Sequence, residues 1–247
     1  MGLSRRGNRE YRAAGAAPLR AGRQTVSRFA NRTDAGIRLA KVLAACGLQQ
    51  PVVLALPRGG VPVAAEIAAA LGAPLDLLIA RKIGVPSQPE LAMGAAAEGA
   101  SPEVVRNDTI ISVAGISEDE FDAVYSHELT EIERRRQRYL GDRPRAPLEG
   151  RDIILVDDGI ATGATIKAAL RSVAARQPHS ITLAVPVAPP AAVAALRAEA
   201  DRVICLLTPD AFHAIGKFYE DFHQVSDQEV ADALERFPVR VKARHPG

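Results

Sequence analysis

Short apolar runs alternating with segments of helical period predict an α/β fold for this 247-residue chain, a parallel β-sheet with helices on both faces. The runs VVLAL (52–56), DIILVDD (152–158), ITLAVPVA (181–188) and RVICLL (202–207) are continuously apolar and rich in β-branched residues, as strands buried on both faces are. Each strand is followed by a turn or a helix start, and in such sheets ligands bind at the carboxyl ends of the strands. The segments of interest are therefore 57–60, 81–94 and 157–165.

Residues 1–26 are rich in Gly, Ala and Arg and have no sustained period, so they read as a basic, flexible arm, with 27–247 as the folded domain. From Thr33 the pattern DAGIRLAKVLAAC reads as a helix ending before Gly47. VVLAL, PRGG and VPVAAEIAAALG read as strand, tight turn and helix closed by Gly72, and LDLLIA (75–80) reads as the next strand. Arg81 and Lys82 stand at its end, on the same sheet edge. Residues 84–102 are rich in Gly, Pro and Ala and read as a mobile loop with a short strand near 93–97. Ser117 and Glu120 form a capping box that opens an inserted long helix over 117–140, with Phe121, Tyr125, Leu129, Ile132 and Tyr139 on one face. Its other face, Glu131, Glu133, Arg134, Arg135, Arg136 and Arg138, reads as solvated with local ion pairs, the alternative being contact with an anion or a homo-oligomer partner. Helices over 165–176 and 190–200 separate the remaining strands, and 208–230 follows the last one.

With 47 % apolar and 24 % charged residues the chain can build a sizeable core and is neither a disordered nor a membrane-spanning sequence. No run approaches the roughly 20 apolar residues of a spanning helix, and no apolar stretch follows the first arginines, so the expected location is the cytoplasm. Cys46 and Cys205 are far apart in apolar surroundings and read as thiols of a reducing compartment. The basic arm lacks interleaved aromatics and is too short for a helix-turn-helix, so nucleic acid is not the expected partner.

The most informative string is 153–165, IILVDDGIATGAT, an apolar strand ending in Asp157 and Asp158 and running through a small-residue turn into a helix. Backbone N–H groups of such a turn and the helix N-terminus form a cradle for a phosphate, with Thr162 and Thr165 adding hydroxyls. Paired acids suit vicinal hydroxyls of a sugar or a hydrated Mg²⁺. Together these describe a ribose 5-phosphate; for an isolated acid pair the competing reading is a helix cap.

This string resembles the phosphoribosyl pyrophosphate (PRPP) motif of type I phosphoribosyltransferases, and the similarity runs over about 30 to 230. The resemblance implies that Ala161, Thr162, Gly163, Ala164 and Thr165 bind the 5-phosphate. It also implies that Asp157 and Asp158 are the catalytic acids, binding the ribose hydroxyls and holding Mg²⁺ through water. Leu56-Pro57-Arg58-Gly59-Gly60 resembles the family's pyrophosphate loop, which implies pyrophosphate binding by Arg58, Gly59 and Gly60 and a cis peptide between Pro57 and Arg58. Arg81 and Lys82 match the basic position near the pyrophosphate, and 84–94 the flexible loop that closes over PRPP. The hood that covers the base corresponds to 208–230, where Phe212, Tyr219 and Phe222 are the candidates for stacking on a planar base, against the alternative that they pack onto the sheet.

The implied activity is Mg²⁺-dependent transfer of the 5-phosphoribosyl group from PRPP to a nitrogenous base, expected to be a nucleobase in nucleotide salvage, with release of pyrophosphate. The alternative is a non-catalytic PRPP-sensing regulator of the same fold. Ala161 stands where enzymes of 6-oxopurines carry an aspartate, which counts against hypoxanthine and guanine. Both acids would meet solvent or ligand at the strand edge, so Asn at both positions is expected to leave the fold intact. Deleting residues 1–25 is expected to leave thermal stability and PRPP binding unchanged; a fall in Tm above about 4 °C would show that the arm packs on the core.

Overall fold

The structure, a computed structural model, describes residues 28–99 and 102–239, so the arm expected over 1–26 lies outside the described residues. In chain order the elements are α1 (Arg32–Ala44), β1 (Val52–Ala55), α2 (Gly60–Leu71), β2 (Leu75–Leu77), β3 (Ala80–Val85), β4 (Gln88–Ala97) and β5 (Glu103–Arg106). They continue with α3 (Asp108–Ala114), α4 (Glu118–Leu140), β6 (Asp152–Val156), α5 (Ala164–Ala174), β7 (Ser180–Val187), α6 (Pro190–Leu196) and β8 (Arg202–Leu207). A 3-10 turn (Ile215–Phe218) and α7 (Asp227–Arg236) are the last elements among the described residues.

Five strands form the parallel sheet, in the order β2-β1-β6-β7-β8. Alternate side chains divide between two apolar layers, as the two-residue strand period requires. Val53, Ala55, Ile154 and Val156 face a core built with α1, α2 and α7, while Val52, Leu54, Ile153 and Leu155 face one built with α5 and α6. Both layers are buried, which is why these strands read as unbroken apolar runs. Among the described residues no helix is long and apolar enough to cross a membrane.

A second sheet departs from the expectation. Residues 84–102, read as a mobile loop with a short strand near 93–97, lie largely in an antiparallel sheet of order β3-β4-β5; the short strand falls within β4, and the loop around it does not hold. Arg81 and Lys82 belong to β3, opposite Ala96 and Ala95, and do not end a parallel strand; that strand stops at Leu77. The small residues that suggested a loop are contact positions. A Cβ on Gly84 would lie 2.3 Å from the Pro89 carbonyl oxygen and one on Gly94 2.7 Å from that of Val105. Ala95 and Ala97 pack on Ala168 of α5, so small side chains let this sheet sit close to a helix.

The long helix is where its capping box placed it, with Ser117 and Glu120 bonded reciprocally at its start. Phe121, Ile132 and Leu140 are buried, and the arginines opposite pair locally, Arg134 and Arg135 with Glu131 and Arg136 with Glu133. α6 stops at Leu196, short of the expected residue 200.

Arg145 couples the two sheets. Its guanidinium bonds Asp76 on β2 at 3.0 Å, the Leu77 carbonyl at 2.7 Å and Glu98, just after β4, at 2.9 Å. Asp76 is 1 % and Glu98 6 % exposed. Arg145→Met would strand two buried carboxylates, which costs about 3–5 kcal/mol in general, and the lower end applies because Arg145 itself is partly solvent-facing. The expected fall in Tm is on the order of 10 °C, measured by calorimetry.

Candidate functional site

Asp157 and Asp158 follow β6 directly, and the chain then turns through Gly159 to Gly163 into α5. The Ile160 N–H donates to the Val187 carbonyl at 2.9 Å, which pins this loop to β7. Gly163 caps α5 at φ +82°, a left-handed conformation that glycine adopts without the Cβ penalty. Among the described residues, no protein acceptor takes the backbone N–H groups of 161 to 165. Five free donors at the positive end of a helix form an anion cradle, open to solvent at Ala161 and Thr162.

The two acids differ. Asp158 is 8 % exposed and accepts from Arg32, the first residue of α1, whose Nε and Nη2 both lie 2.8 Å from Oδ2. Arg32 is 7 % exposed, donates its Nη1 to the His223 carbonyl at 2.7 Å, and stacks 3.8 Å over the Phe222 ring. The Tyr219 hydroxyl donates to the Asp158 carbonyl oxygen at 2.6 Å. Gly59 lies against the Asp158 carboxylate so closely that a Cβ there would sit 2.2 Å from Oδ2. Asp157 is half-buried; its Oδ1 accepts the Asp158 N–H at 2.9 Å, and among the described residues no cation pairs with it. Burial pushes the Asp157 carboxyl well above the usual carboxylate range, and the neighbouring Asp158 charge adds to this. Burial also raises Asp158, with Arg32 opposing. In the absence of ligand, then, Asp158 is paired with a buried cation while Asp157 has none among the described residues, so Asn at 158 is not expected to be neutral for the fold as its place at a strand edge suggested.

Pro57–Arg58 is a cis peptide, as the motif implied. Gly60 donates its N–H to the Leu56 carbonyl at 3.1 Å, and a Cβ there would meet the Val156 carbonyl oxygen at 2.7 Å, so glycine at 60 serves the packing of α2 on β6. The cations expected near a pyrophosphate are each held by an acid. Arg58 Nη1 lies 3.6 Å from Asp227, Arg81 bonds Glu128 at 2.7 Å and Lys82 bonds Glu90 at 3.0 Å. Asp227 also receives the Tyr139 hydroxyl at 2.6 Å and the Arg138 guanidinium. The Glu128 side chain is buried and that of Glu90 almost fully exposed, and Arg58 meets Asp227 only at 3.6 Å, so Lys82 and Arg58 are more easily turned to an anionic ligand than Arg81. The β4 residues Leu91 and Ala92 line a cavity of about 590 Å³ whose other wall includes Thr162, Gly163 and Ala164, so the β3–β4 hairpin faces the anion cradle.

The aromatic residues of 208–230 mostly pack. Phe212 stacks on Phe218 with ring centroids 5.5 Å apart, and Tyr219 is buried against Phe29 at 5.4 Å with its hydroxyl engaged. Only Phe222 combines substantial exposure with a place beside the acids, and Arg32 lies over its ring. Sequence reasoning does not single out Arg32 or Asp227. The abundance of arginine hides Arg32, and the Ser226 capping box gives Asp227 the appearance of an ordinary first-turn acid. Among the described residues no three His, Cys, Asp or Glu side chains cluster as a metal cage. One free carboxylate beside an anion cradle suits Mg²⁺, which is bound through one or two carboxylates with waters and substrate phosphates.

Asp158→Asn would leave Arg32 buried and unpaired, and a loss of about 3–5 kcal/mol is expected in denaturant unfolding. Asp157→Asn is expected to stabilise the ligand-free protein at pH 7. A carboxyl raised on folding contributes stability below its unfolded pKa and loses that contribution as pH rises through the folded value, so the gain from Asn should widen with pH above about 4. A Tm series from pH 4 to 8 checks the sign.

The crystal structure of TT1426 from Thermus thermophilus superposes with a TM-score of 0.73 and 41 % identity, over 85 % of this chain and 99 % of that one. Rv0571c of Mycobacterium tuberculosis (strain ATCC 25618 / H37Rv) and MT0597 of strain CDC 1551 / Oshkosh, both named as putative phosphoribosyl transferases, are each 48 % identical over 208 residues. That is 84 % of this chain and 46 % of theirs, so the chain spans about half the length of these relatives. The profile of the phosphoribosyl transferase domain matches residues 27–223, an interval that holds the anion cradle, both acids and the 57–60 loop, and the chain belongs to that family.

Proposed function

We propose that the protein is a phosphoribosyltransferase that takes PRPP as donor and a nitrogenous base as acceptor. The observation that carries this reading is the juxtaposition, at one end of β6, of five free N–H donors with one unpaired carboxylate, Asp157. The cradle at 161–165 takes the 5-phosphate and Asp157 accepts from the ribose hydroxyls. The turn at 57–60 and Lys82 receive the diphosphate, Lys82 leaving Glu90 as it does so.

In the reaction the bond from the anomeric carbon to the diphosphate oxygen breaks, and a bond from that carbon to the acceptor nitrogen forms. The acceptor loses its proton, and pyrophosphate leaves with the electron pair of the broken bond. The transition state has oxocarbenium character, which the negative charge of Asp157 stabilises, provided the carboxyl is ionised when ligand is bound. Asp157 would also hold Mg²⁺, which when bound neutralises charge on the departing diphosphate.

A second reading, a PRPP sensor without turnover, is favoured by one observation: Arg58 and Arg81, which would assist the leaving group, are each engaged by an acid. Titration calorimetry with PRPP and Mg²⁺, followed by pyrophosphate release across a panel of nucleobases and small amines, separates the two. Saturable binding with a Kd between about 1 μM and 1 mM is expected, with turnover for one acceptor. Binding without turnover would favour the sensor, and no binding would refute both.

Gly163→Val tests the cradle itself. A β-branched residue at φ +82° costs about 1–2 kcal/mol and tilts the free N–H groups, so PRPP affinity is expected to fall roughly tenfold or more, with inorganic phosphate affinity falling in parallel.

A further inference from the structure

We propose that Arg32 is a positioning residue of the transfer site, a latch that ties the 215–226 segment to Asp158 at the end of β6. The role assigned to the site rests on the donor reading above; the latch itself rests on geometry alone.

Five contacts converge on one buried guanidinium or on its partner. Nε and Nη2 grip Oδ2 of Asp158 from the first residue of α1, which brings the start of the described domain to the end of β6, 126 residues away. Nη1 donates to the His223 carbonyl, and the guanidinium carbon lies 3.8 Å over Phe222, so the same group holds the segment after β8 by a charge-assisted hydrogen bond and a cation–π contact. Tyr219 closes the ring by donating its hydroxyl to the Asp158 carbonyl oxygen. Gly59 abuts the same carboxylate, so Asp158 also sets how near the 57–60 turn approaches the acids.

A guanidinium is suited to this position for a chemical reason. It is planar, always charged and carries donors in a fixed fork, so it can bind a carboxylate and a carbonyl while stacking on a ring. Lysine offers one point charge and no plane; it could keep the Asp158 pair but not the Phe222 stack and the His223 bond together. The backbone of Asp158 in turn orients Asp157, whose Oδ1 accepts the Asp158 N–H. Loss of the latch should therefore reach the ligand through the placement of Asp157 and the covering segment, and should leave the 161–165 cradle untouched.

The test uses the full chain with R32M and R32K. Hydrogen–deuterium exchange of the ligand-free proteins reads the latch; calorimetry with PRPP plus Mg²⁺ and, separately, with inorganic phosphate reads the site. For R32M we expect exchange over 215–226 to quicken at least about tenfold while β6 and β7 stay protected. PRPP affinity should fall at least about tenfold and phosphate affinity stay within about threefold. R32K should recover the PRPP affinity only in part, and if R32M does not fold, R32K alone must show the same split in smaller measure. Unchanged protection over 215–226 in either folded variant overturns the latch. Parallel loss of PRPP and phosphate binding overturns the positioning role in favour of a general structural one. If the parent chain binds no PRPP, the donor reading fails, and the exchange experiment still decides the latch.

Discussion

The buried pair of Arg32 and Asp158 is the constraint around which the ligand edge of this molecule is arranged. An arginine and an aspartate removed from water must satisfy each other and nearly every remaining donor and acceptor, or the desolvation cost is not recovered. Here the requirement is met by recruiting other elements. The His223 carbonyl and the Phe222 ring take the rest of the guanidinium, and Tyr219 bonds the Asp158 backbone. α1, the end of β6 and the segment after β8 each supply part of this arrangement, with the 57–60 turn packed against the same carboxylate, and backbone bonds of Phe29 and Ala30 to Phe218, Glu220 and Asp221 add to the tie between α1 and that segment.

The same logic explains why two adjacent aspartates differ in their surroundings. Asp158 is compensated by a buried cation, Arg32. Asp157 has only a neighbouring N–H and an adjacent like charge, and its burial and that charge push its proton affinity up in the ligand-free protein. Such a carboxylate gains from any ligand that brings hydroxyl donors or a cation to it. Under the proposed function, a ligand that brought such groups would favour ionised Asp157.

Acidic partners restrain the basic residues in an analogous way. Asp227 gathers Arg58, Arg138 and Tyr139 and so joins the 57–60 turn to α4 and α7, while Arg145 joins β2 to the end of the strand that bears the hairpin. The hairpin is therefore anchored at its base. Its tip carries the exposed Glu90 partner of Lys82, a pair that solvent weakens.

Contiguous features were legible in the sequence. The unbroken apolar strands, the Ser117 capping box, and the passage from β6 through the anion cradle into α5 each depend on residues close in the chain, whose spacing alone dictates hydrogen bonding and burial. The antiparallel sheet was not legible, because Gly84, Gly94 and Ala95 to Ala97 carry no alternation and are small for the sake of neighbours on other strands and on α5. The difference between Asp157 and Asp158 was likewise invisible: two identical side chains in sequence become one carboxylate paired with a cation and one without only when Arg32, 126 residues distant, folds onto Asp158. Local composition determined which segments would form the sheet edge and its cradle; tertiary structure decided which charged groups on that edge remained free, since desolvation and pairing are set by neighbours that only the folded chain brings together.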